Sequence, residues 1–590
     1  PLRLRQLQRR EESGMVTCTI DNKTFQVPEG TTIMEAARQV QIQIPHLCYL
    51  KDLNEIAACR VCCVEVEGEH AMVTACNSPV REGMVVHTNS PRARRTRKIN
   101  VELILSQHDC RCATCVRSGN CRLQELANDL GIHDSPYEEQ LPKGLRKAWT
   151  TTYPLYHDYN KCIKCMRCIQ VCDKIQDMHI WDVAGTGGRT TIDVSGNRVI
   201  KDSDCTLCGQ CIIHCPVAGL RERDDTAKLY EALADPEKVT VVQVAPAVRT
   251  AWCEAFGLPR KEGTIGKMAA ALRRLGFDHI YDTTFAADLT IMEEAHEFLE
   301  RFSKGDTRDF PMFTSCCPGW VRFLKGQYPE LTSQLSTSKS PQQMFGAMAK
   351  TWLADKLGVE PEKLYCVSIM PCLAKKAECA LPTMRTVHGP DVDLSLTTRE
   401  FVRMLRADHL DPALMPEEPL DDPMGTYTGA GTIFGATGGV MEAALRTAYA
   451  KLMGKNPDPD FFAAIRTGPA LREATYTLAG KELRCAVVSG LGNTRQLIRA
   501  LKRKEVHYDF VEVMACPGGC AGGGGQPIPR HDEEFQSVRG QQLYRLDEEN
   551  PLRCSHDNPQ IQQLYREFLG EPLSPKAEAL LHTDHFGWKI

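Results

Sequence analysis

The sequence predicts a multidomain protein: small α+β modules built around metal loops, followed by one large α/β domain. Three observations carry this. Up to residue 215, cysteines come in tightly spaced runs. From about residue 226, apolar strands alternate with amphipathic helices. The length, 590 residues, allows several domains and at least one large core.

Composition narrows the class. Hydrophobic content of 42% and charged content of 25% are ordinary for a globular chain. A net charge of −4 gives no nucleic-acid footprint, and no apolar run is long enough to span a membrane. Residues 1–14 are Arg-rich without an apolar segment, and read as a disordered extension ahead of a start at Met15. The 28 cysteines are too many and too closely spaced for a small secreted disulfide scaffold. Metal-binding thiolates in a cytoplasmic protein are the expectation.

Residues 15–50 read as strand (MVTCTI), turn, strand (TFQV) and helix, an α+β module expected to end in a metal loop. Cys48, Cys59, Cys62 and Cys76 follow, four thiolates that satisfy a [2Fe–2S] cluster. Zinc is the competing reading, but zinc sites usually show two tight C-x2-C pairs. Cys63 is out of register. Residues 91–98 (PRARRTRK) open a helix with a basic run, by default a solvated or partner-facing surface. His108, Cys112, Cys115 and Cys121 then form H-x3-C-x2-C-x5-C. A neutral imidazole among thiolates would change the charge of a [4Fe–4S] cluster and so tune its potential. Cys110 is off this pattern.

Two C-x2-C-x2-C-x3-C runs follow: Cys162, Cys165, Cys168, Cys172, then Cys205, Cys208, Cys211, Cys215. In two-cluster ferredoxins the fourth cysteine of each run serves the other cluster. Cys162, Cys165, Cys168 and Cys215 are therefore assigned to one [4Fe–4S], and Cys205, Cys208, Cys211 and Cys172 to the other.

Beyond residue 226, VTVVQVAP reads as a strand, TIGKMAAALRRLGF as a helix leading into strand-like HIYDTTF, Thr398 as an N-cap, and LRCAVVSG as a strand before the helix TRQLIRALK. Three Gly/Pro-bounded stretches stand out: TSCCPGW (314–320), MPCLAKK (370–376) and MACPGGCAGGGGQP (514–527). The glycines of the last are expected to let backbone approach a cofactor. No Lys-Ser/Thr follows them, so this is not a phosphate loop. Their cysteines are expected where strands end.

These three stretches, complete and in order, resemble the signature segments of [FeFe] hydrogenases, and with the upstream sites the resemblance runs from Met15 almost to the end. The first two cluster sites resemble those of the large hydrogenases of this family and of the complex I large iron–sulfur subunit. The resemblance implies a β-grasp ferredoxin-like domain (15–92), a domain for one [4Fe–4S] with histidine and cysteine ligands (93–150), a two-cluster ferredoxin domain (151–225) and an H-cluster domain (226–590). It implies one [2Fe–2S], three accessory [4Fe–4S] and an H-cluster, a [4Fe–4S] joined to a diiron unit with CO, cyanide and a bridging dithiolate. Cys317, Cys372, Cys516 and Cys520 would hold that cluster, with Cys520 as the bridge. Cys316 would be the first proton relay, followed by Glu294, Ser336 and Glu297, with Arg301 near the surface. Lys375 would face a cyanide. Pro246, Gln342, Met370, Phe434 and Met514 would pack around the diiron unit. Cys18, Cys253, Cys366, Cys379, Cys485 and Cys554 read as structural.

The function implied is reversible 2H⁺ + 2e⁻ ⇌ H₂. An H₂-sensing homologue is the alternative, but sensors of the family usually lose the relay cysteine. An iron–sulfur assembly factor would lack the full segments, and an electron-wire subunit would not explain them. No G-x-G-x-x-G follows a strand with an acidic partner, so any NAD(P) chemistry needs flavin- and nucleotide-binding partner subunits with their own iron–sulfur centres. The partners implied are such subunits, ferredoxin and maturation proteins. The expectation leans to a multi-subunit, often electron-bifurcating form over a single-chain ferredoxin hydrogenase.

Overall fold

A computed structural model describes residues 14–134, 136–138, 149–458, 460–530 and 533–590. The expected extension lies, but for Gly14, outside the described residues. No helix among them is long and apolar enough to cross a membrane.

The first module is a five-stranded sheet of Met15–Ile20, Lys23–Pro28, Cys63–Val66, Val73–Thr74 and Met84–His87, with the second strand at one edge and the fourth at the other. The first strand pairs antiparallel with the second and parallel with the last. Helix Ile33–Gln39, capped by the Thr32 side chain on the Glu35 N–H, buries Ile33, Met34, Ala36 and Ala37 against it. Helix Pro91–Leu105 carries the basic run, with Ser90 as N-cap and Pro91 in its first turn.

The basic run is not one surface. Arg94 and Arg95 are exposed. Arg97 is buried and donates to the carbonyls of Val61, Cys63 and Thr88 at 2.9–3.0 Å, bracing the loop that carries Cys59 and Cys62. A guanidinium supplies several donors in a fixed fork, which suits this clamp.

The C-terminal part holds two four-stranded sheets where one α/β fold was expected. The first, ordered His279–Asp282, Val239–Val244, Leu364–Met370, Leu394–Thr397, is wholly parallel and buried on both faces. The second is ordered Met312–Phe313, Phe510–Met514, Lys481–Ser489, Leu471–Leu478, with an antiparallel hairpin at one edge. Helix Thr283–Lys304 lies between them: Phe285, Ala286 and Leu289 pack into one core, and Ala287, Ile291 and Phe298 into another.

Two local readings need correction. The strand expected over HIYDTTF stops at Asp282, whose side chain accepts from the Thr284 N–H and starts the helix. The N-cap before helix Thr398–Ala407 is Thr397, in a reciprocal capping box with Glu400. The capping box needs Glu at N3, and Glu400 stands three residues after Thr397.

Candidate active site

Cys317, Cys372 and Cys516 leave strands Met312–Phe313, Leu364–Met370 and Phe510–Met514 at their C-terminal ends. Cys520 sits in the short turn Gly519–Gly522 that follows. Strand ends from both sheets thus meet at one point, the usual place for a site in α/β folds. All four thiols are pushed up by burial; the charges of neighbouring cysteines push Cys372 (to about 12), Cys516 and Cys520 up further. Four thiolates in so apolar a place need cationic metal to neutralise them, so this donor set fits a [4Fe–4S] cluster. Cys317 also occupies the N-cap of helix Pro318–Gln327, where the dipole favours a thiolate.

The glycine run does something other than expected. A Cβ on Gly523 would lie 2.2 Å from the Pro371 carbonyl, and one on Gly524 2.3 Å from the Cys208 carbonyl. These glycines let the 516–525 loop press against the backbone of the other cysteine loops.

Above the thiols is a cavity lined by Pro246, Gln342, Met370, Phe434, Met514 and Lys375, with Cys316, Cys317, Cys372 and Cys520 among its walls. The five expected packing residues are all on it. The Lys375 ammonium donates to the Cys316 carbonyl at 3.1 Å and to Glu378 at 3.0 Å. Burial would lower its pKa, but Glu378 outweighs burial and the pKa rises. Lys375 is held cationic with a third N–H to spare. Glu378 also accepts from Ser340, Gln342 and Gln343 at 2.9–3.3 Å. Sequence reading missed Glu378, although it stands at i+3 from Lys375 on helix Ala374–Glu378.

Burial, then the charge of Glu294, pushes the Cys316 thiol up, so it stays protonated. Glu294 is fully buried and its pKa rises to about 8, through burial first and the Glu297 charge second. Ser336 and the Ser315 N–H beside it offset only part of this. Ser336 donates at 2.6 Å to Glu297, which also takes a 2.6 Å bond from Arg301. Arg301 retains 21% side-chain exposure against 9% for Glu297, so the bonded set Ser336, Glu297 and Arg301 leads outward, while both Glu294 oxygens lack a hydrogen-bond partner among the described residues.

Cys162, Cys165, Cys168 and Cys215 line one cavity. Cys172 feels the charges of Cys205 and Cys208, and Cys211 feels all three. The fold thus places Cys215 with the first three cysteines of the first run, and Cys172 with those of the second. In the first module, thiol hydrogen bonds join Cys48 to Cys59, Cys48 to Cys76 and Cys62 to Cys76, a convergence that fits a four-thiolate cluster. His108 is buried, with its pKa lowered to about 4 mainly by burial, and its Nδ1 has no partner. A neutral imidazole with a free lone pair fits a metal ligand. Cys121 lies within electrostatic reach of Cys115. Cys59, Cys121 and Cys215 pack against one small core of Leu47, Val61, Val101, Leu123, Leu126 and Val217. Sequence reading also missed Asn54: its buried amide donates to the carbonyls of Cys48 (2.7 Å) and Cys165 (2.8 Å). Cys18, Cys253, Cys366 and Cys485 lie in apolar cores.

Comparison with known proteins agrees with this geometry. Residues 238–524 match the C-terminal domain of the iron-only hydrogenase large chain. Residues 13–91 match a 2Fe-2S cluster-binding domain, 97–136 the iron–sulfur binding region of NADH-ubiquinone oxidoreductase-G, and 161–218 a 4Fe-4S dicluster domain. Residues 533–588 match the iron hydrogenase small subunit, a unit the sequence reading had merged into the catalytic domain. The NADP-reducing hydrogenase subunit HndD of Solidesulfovibrio fructosivorans is 47% identical over 97% of this chain and 99% of its own. Iron hydrogenase 1 of Clostridium pasteurianum is 38% identical over 96% and 99%. A solved [FeFe]-hydrogenase structure from Chlamydomonas reinhardtii aligns with a TM-score of 0.56 and 39% identity, over 62% of this chain and all of that one.

Proposed function

The chain belongs to the [FeFe] hydrogenase family, an oxidoreductase acting on H₂, and on that premise we propose how its residues divide the work. Cys317, Cys372, Cys516 and Cys520 would hold the [4Fe–4S] part of an H-cluster, and the cavity above them would take its diiron unit on the Cys520 side. When bound, that group supplies the iron at which the H–H bond is made or broken. Lys375, kept cationic by Glu378, offers its spare N–H to an anionic ligand. Pro246, Gln342, Met370, Phe434 and Met514 keep the cavity dry. Cys316 passes protons between the cavity and Glu294, and Ser336, Glu297 and Arg301 continue the path outward. A carboxyl with a pKa near 8 exchanges protons readily at near-neutral pH.

Cys48, Cys59, Cys62 and Cys76 would hold one [2Fe–2S] and the other three sites one [4Fe–4S] each, groups that supply electron transfer when bound. The near full-length likeness to a hydrogenase subunit named as NADP-reducing supports a multisubunit assembly. In it, flavin- and NAD(P)-binding partners or ferredoxin exchange electrons with the accessory clusters. The observation that carries this reading is the meeting of Cys317, Cys372, Cys516 and Cys520 beneath a cavity that also holds Cys316 and a paired Lys375.

The test is Cys316→Ser in matured protein. Iron content and cluster signals should stay at wild-type levels while H₂ turnover falls by about 10²-fold or more. Full activity would remove the relay assignment.

A further inference from the structure

A second set of hydrogen bonds leaves Glu297 away from Arg301. The Thr337 backbone N–H and hydroxyl both donate to Glu297 Oε1, at 3.0 and 3.2 Å. The same hydroxyl lies 2.8 Å from His582 Nδ1. On the far side of the ring, His582 Nε2 is 3.1 Å from Glu293 Oε2. Glu293 is fully buried and fixed by the Tyr565 hydroxyl and the Leu573 N–H. His582 keeps 9% side-chain exposure, so its edge meets water where Glu293 does not. Thr583 N–H to Thr337 carbonyl, at 2.8 Å, fixes the two segments together.

The chemistry of this chain is asymmetric. Thr337 has one hydroxyl proton and two acceptors facing it. When His582 is neutral with its proton on Nε2, Nδ1 accepts from Thr337, and the hydroxyl is drawn off Glu297. When His582 is cationic, both ring nitrogens donate, to Thr337 and Glu293, and the Thr337 hydroxyl turns to Glu297. A proton taken from water at His582 is therefore felt at Glu297 by reorientation of one hydroxyl. Other charged or titratable groups around the ring are Tyr565 and His296 beside Glu293, Arg301 beyond Glu297, Lys339 on the adjoining strand-like segment, and Glu578, Asp584 and His585 on its own segment.

We propose that His582, through Thr337, forms a second solvent-linked branch of the proton path, acting on Glu297 and not on the reacting atoms. The histidine lies in the segment matching the small subunit, so that segment has a part in proton delivery as well as in packing. The proposal rests on the path through Glu294 and Glu297 given above.

The experiment measures H₂ turnover against pH for matured wild type, His582→Gln, Thr337→Val, Thr337→Ser, the double variant of His582→Gln with Thr337→Val, and Glu294→Gln. It also records infrared carboxylate bands of the cluster-free proteins, with Glu297→Gln beside them, from pH 5.5 to 8. His582→Gln and Thr337→Val should lose one inflection of the wild-type pH profile, with turnover several-fold lower on its acid side. Thr337→Ser should restore the profile, and the double variant should be no worse than either single one. The part of the pH-dependent carboxylate shift that Glu297→Gln removes should vanish in His582→Gln, while the Glu294 band remains. A wild-type profile and band shift in His582→Gln overturn the branch. Undiminished turnover in Glu294→Gln would instead overturn the main path.

Discussion

The Cys516 Sγ lies 3.5 Å from the Cys208 carbonyl oxygen, where the catalytic loop meets the ferredoxin loop. Beside it, Gly209 and Gly524 touch backbone to backbone, and the Gln210 amide donates to the Gly522 carbonyl at 2.8 Å. Two cysteine loops from distant parts of the sequence are therefore held in close contact, largely backbone on backbone. That closeness is what an electron path from accessory cluster to catalytic centre requires.

Gly524→Ala tests this contact. Its Cβ would sit 2.3 Å from the Cys208 carbonyl and 2.5 Å from Gly209 Cα, with backbone that has no flexible end to yield. Overpacking of this kind costs about 1–3 kcal/mol. The variant should melt lower, and its accessory clusters should be reduced more slowly under H₂, as followed by electron paramagnetic resonance.

Glu378→Gln removes the anion beside a buried ammonium. Breaking one side of a buried pair costs about 3–5 kcal/mol because the remaining charge is uncompensated. Cluster-free protein should lose stability on that order in a denaturant titration, and Lys375 should lose its aim. Glu378→Gln with Lys375→Met should recover much of the stability but not the turnover.

Glu294 makes stability fall as pH rises. Its folded pKa, about 8, is above the ordinary 4.5, so the fold binds the proton more tightly than the unfolded chain. The contribution is fully present below pH 4.5 and is lost as pH climbs to about 8. At one pKa unit per 1.36 kcal/mol this is on the order of 5 kcal/mol. Glu294→Gln should therefore gain stability relative to wild type between pH 5 and pH 8, in cluster-free protein, while matured enzyme loses turnover.

Arg94 and Arg95 are exposed on helix Pro91–Leu105, whereas Arg97 is a buried clamp. Arg94→Glu with Arg95→Glu should leave the melting temperature within a degree or two and weaken electron exchange with a partner subunit or ferredoxin, more so at low salt. Arg97→Ala should instead destabilise the first module and lower its [2Fe–2S] content.

Much of the site was legible because thiolate ligands must sit at fixed short spacings in loops, and the chain keeps those spacings. The proposed relay residues Glu294, Glu297 and Arg301 came from the family resemblance alone, since three such residues on one helix face equally make a solvated ion-pair face. Three features had no distinctive signal. Asn54 and His582 act on groups they meet in space, at sequence distances that carry no periodicity, and Glu378, though at i+3 from Lys375, is in a pattern shared with any surface helix pair. The glycine run was read as room for a cofactor, but the close approach it permits is to protein backbone, since glycine composition does not say which neighbour is near. The split into two sheets was hidden because strand–helix alternation looks the same for one parallel sheet as for two.

Infrared spectroscopy of anaerobically matured protein in the CO and cyanide stretching region, with dye-linked H₂ uptake on the same sample, tests the account most directly. CO and cyanide bands together with turnover are the predicted result, with both lost in Cys520→Ser. Iron-replete, fully matured protein with neither bands nor turnover would contradict it.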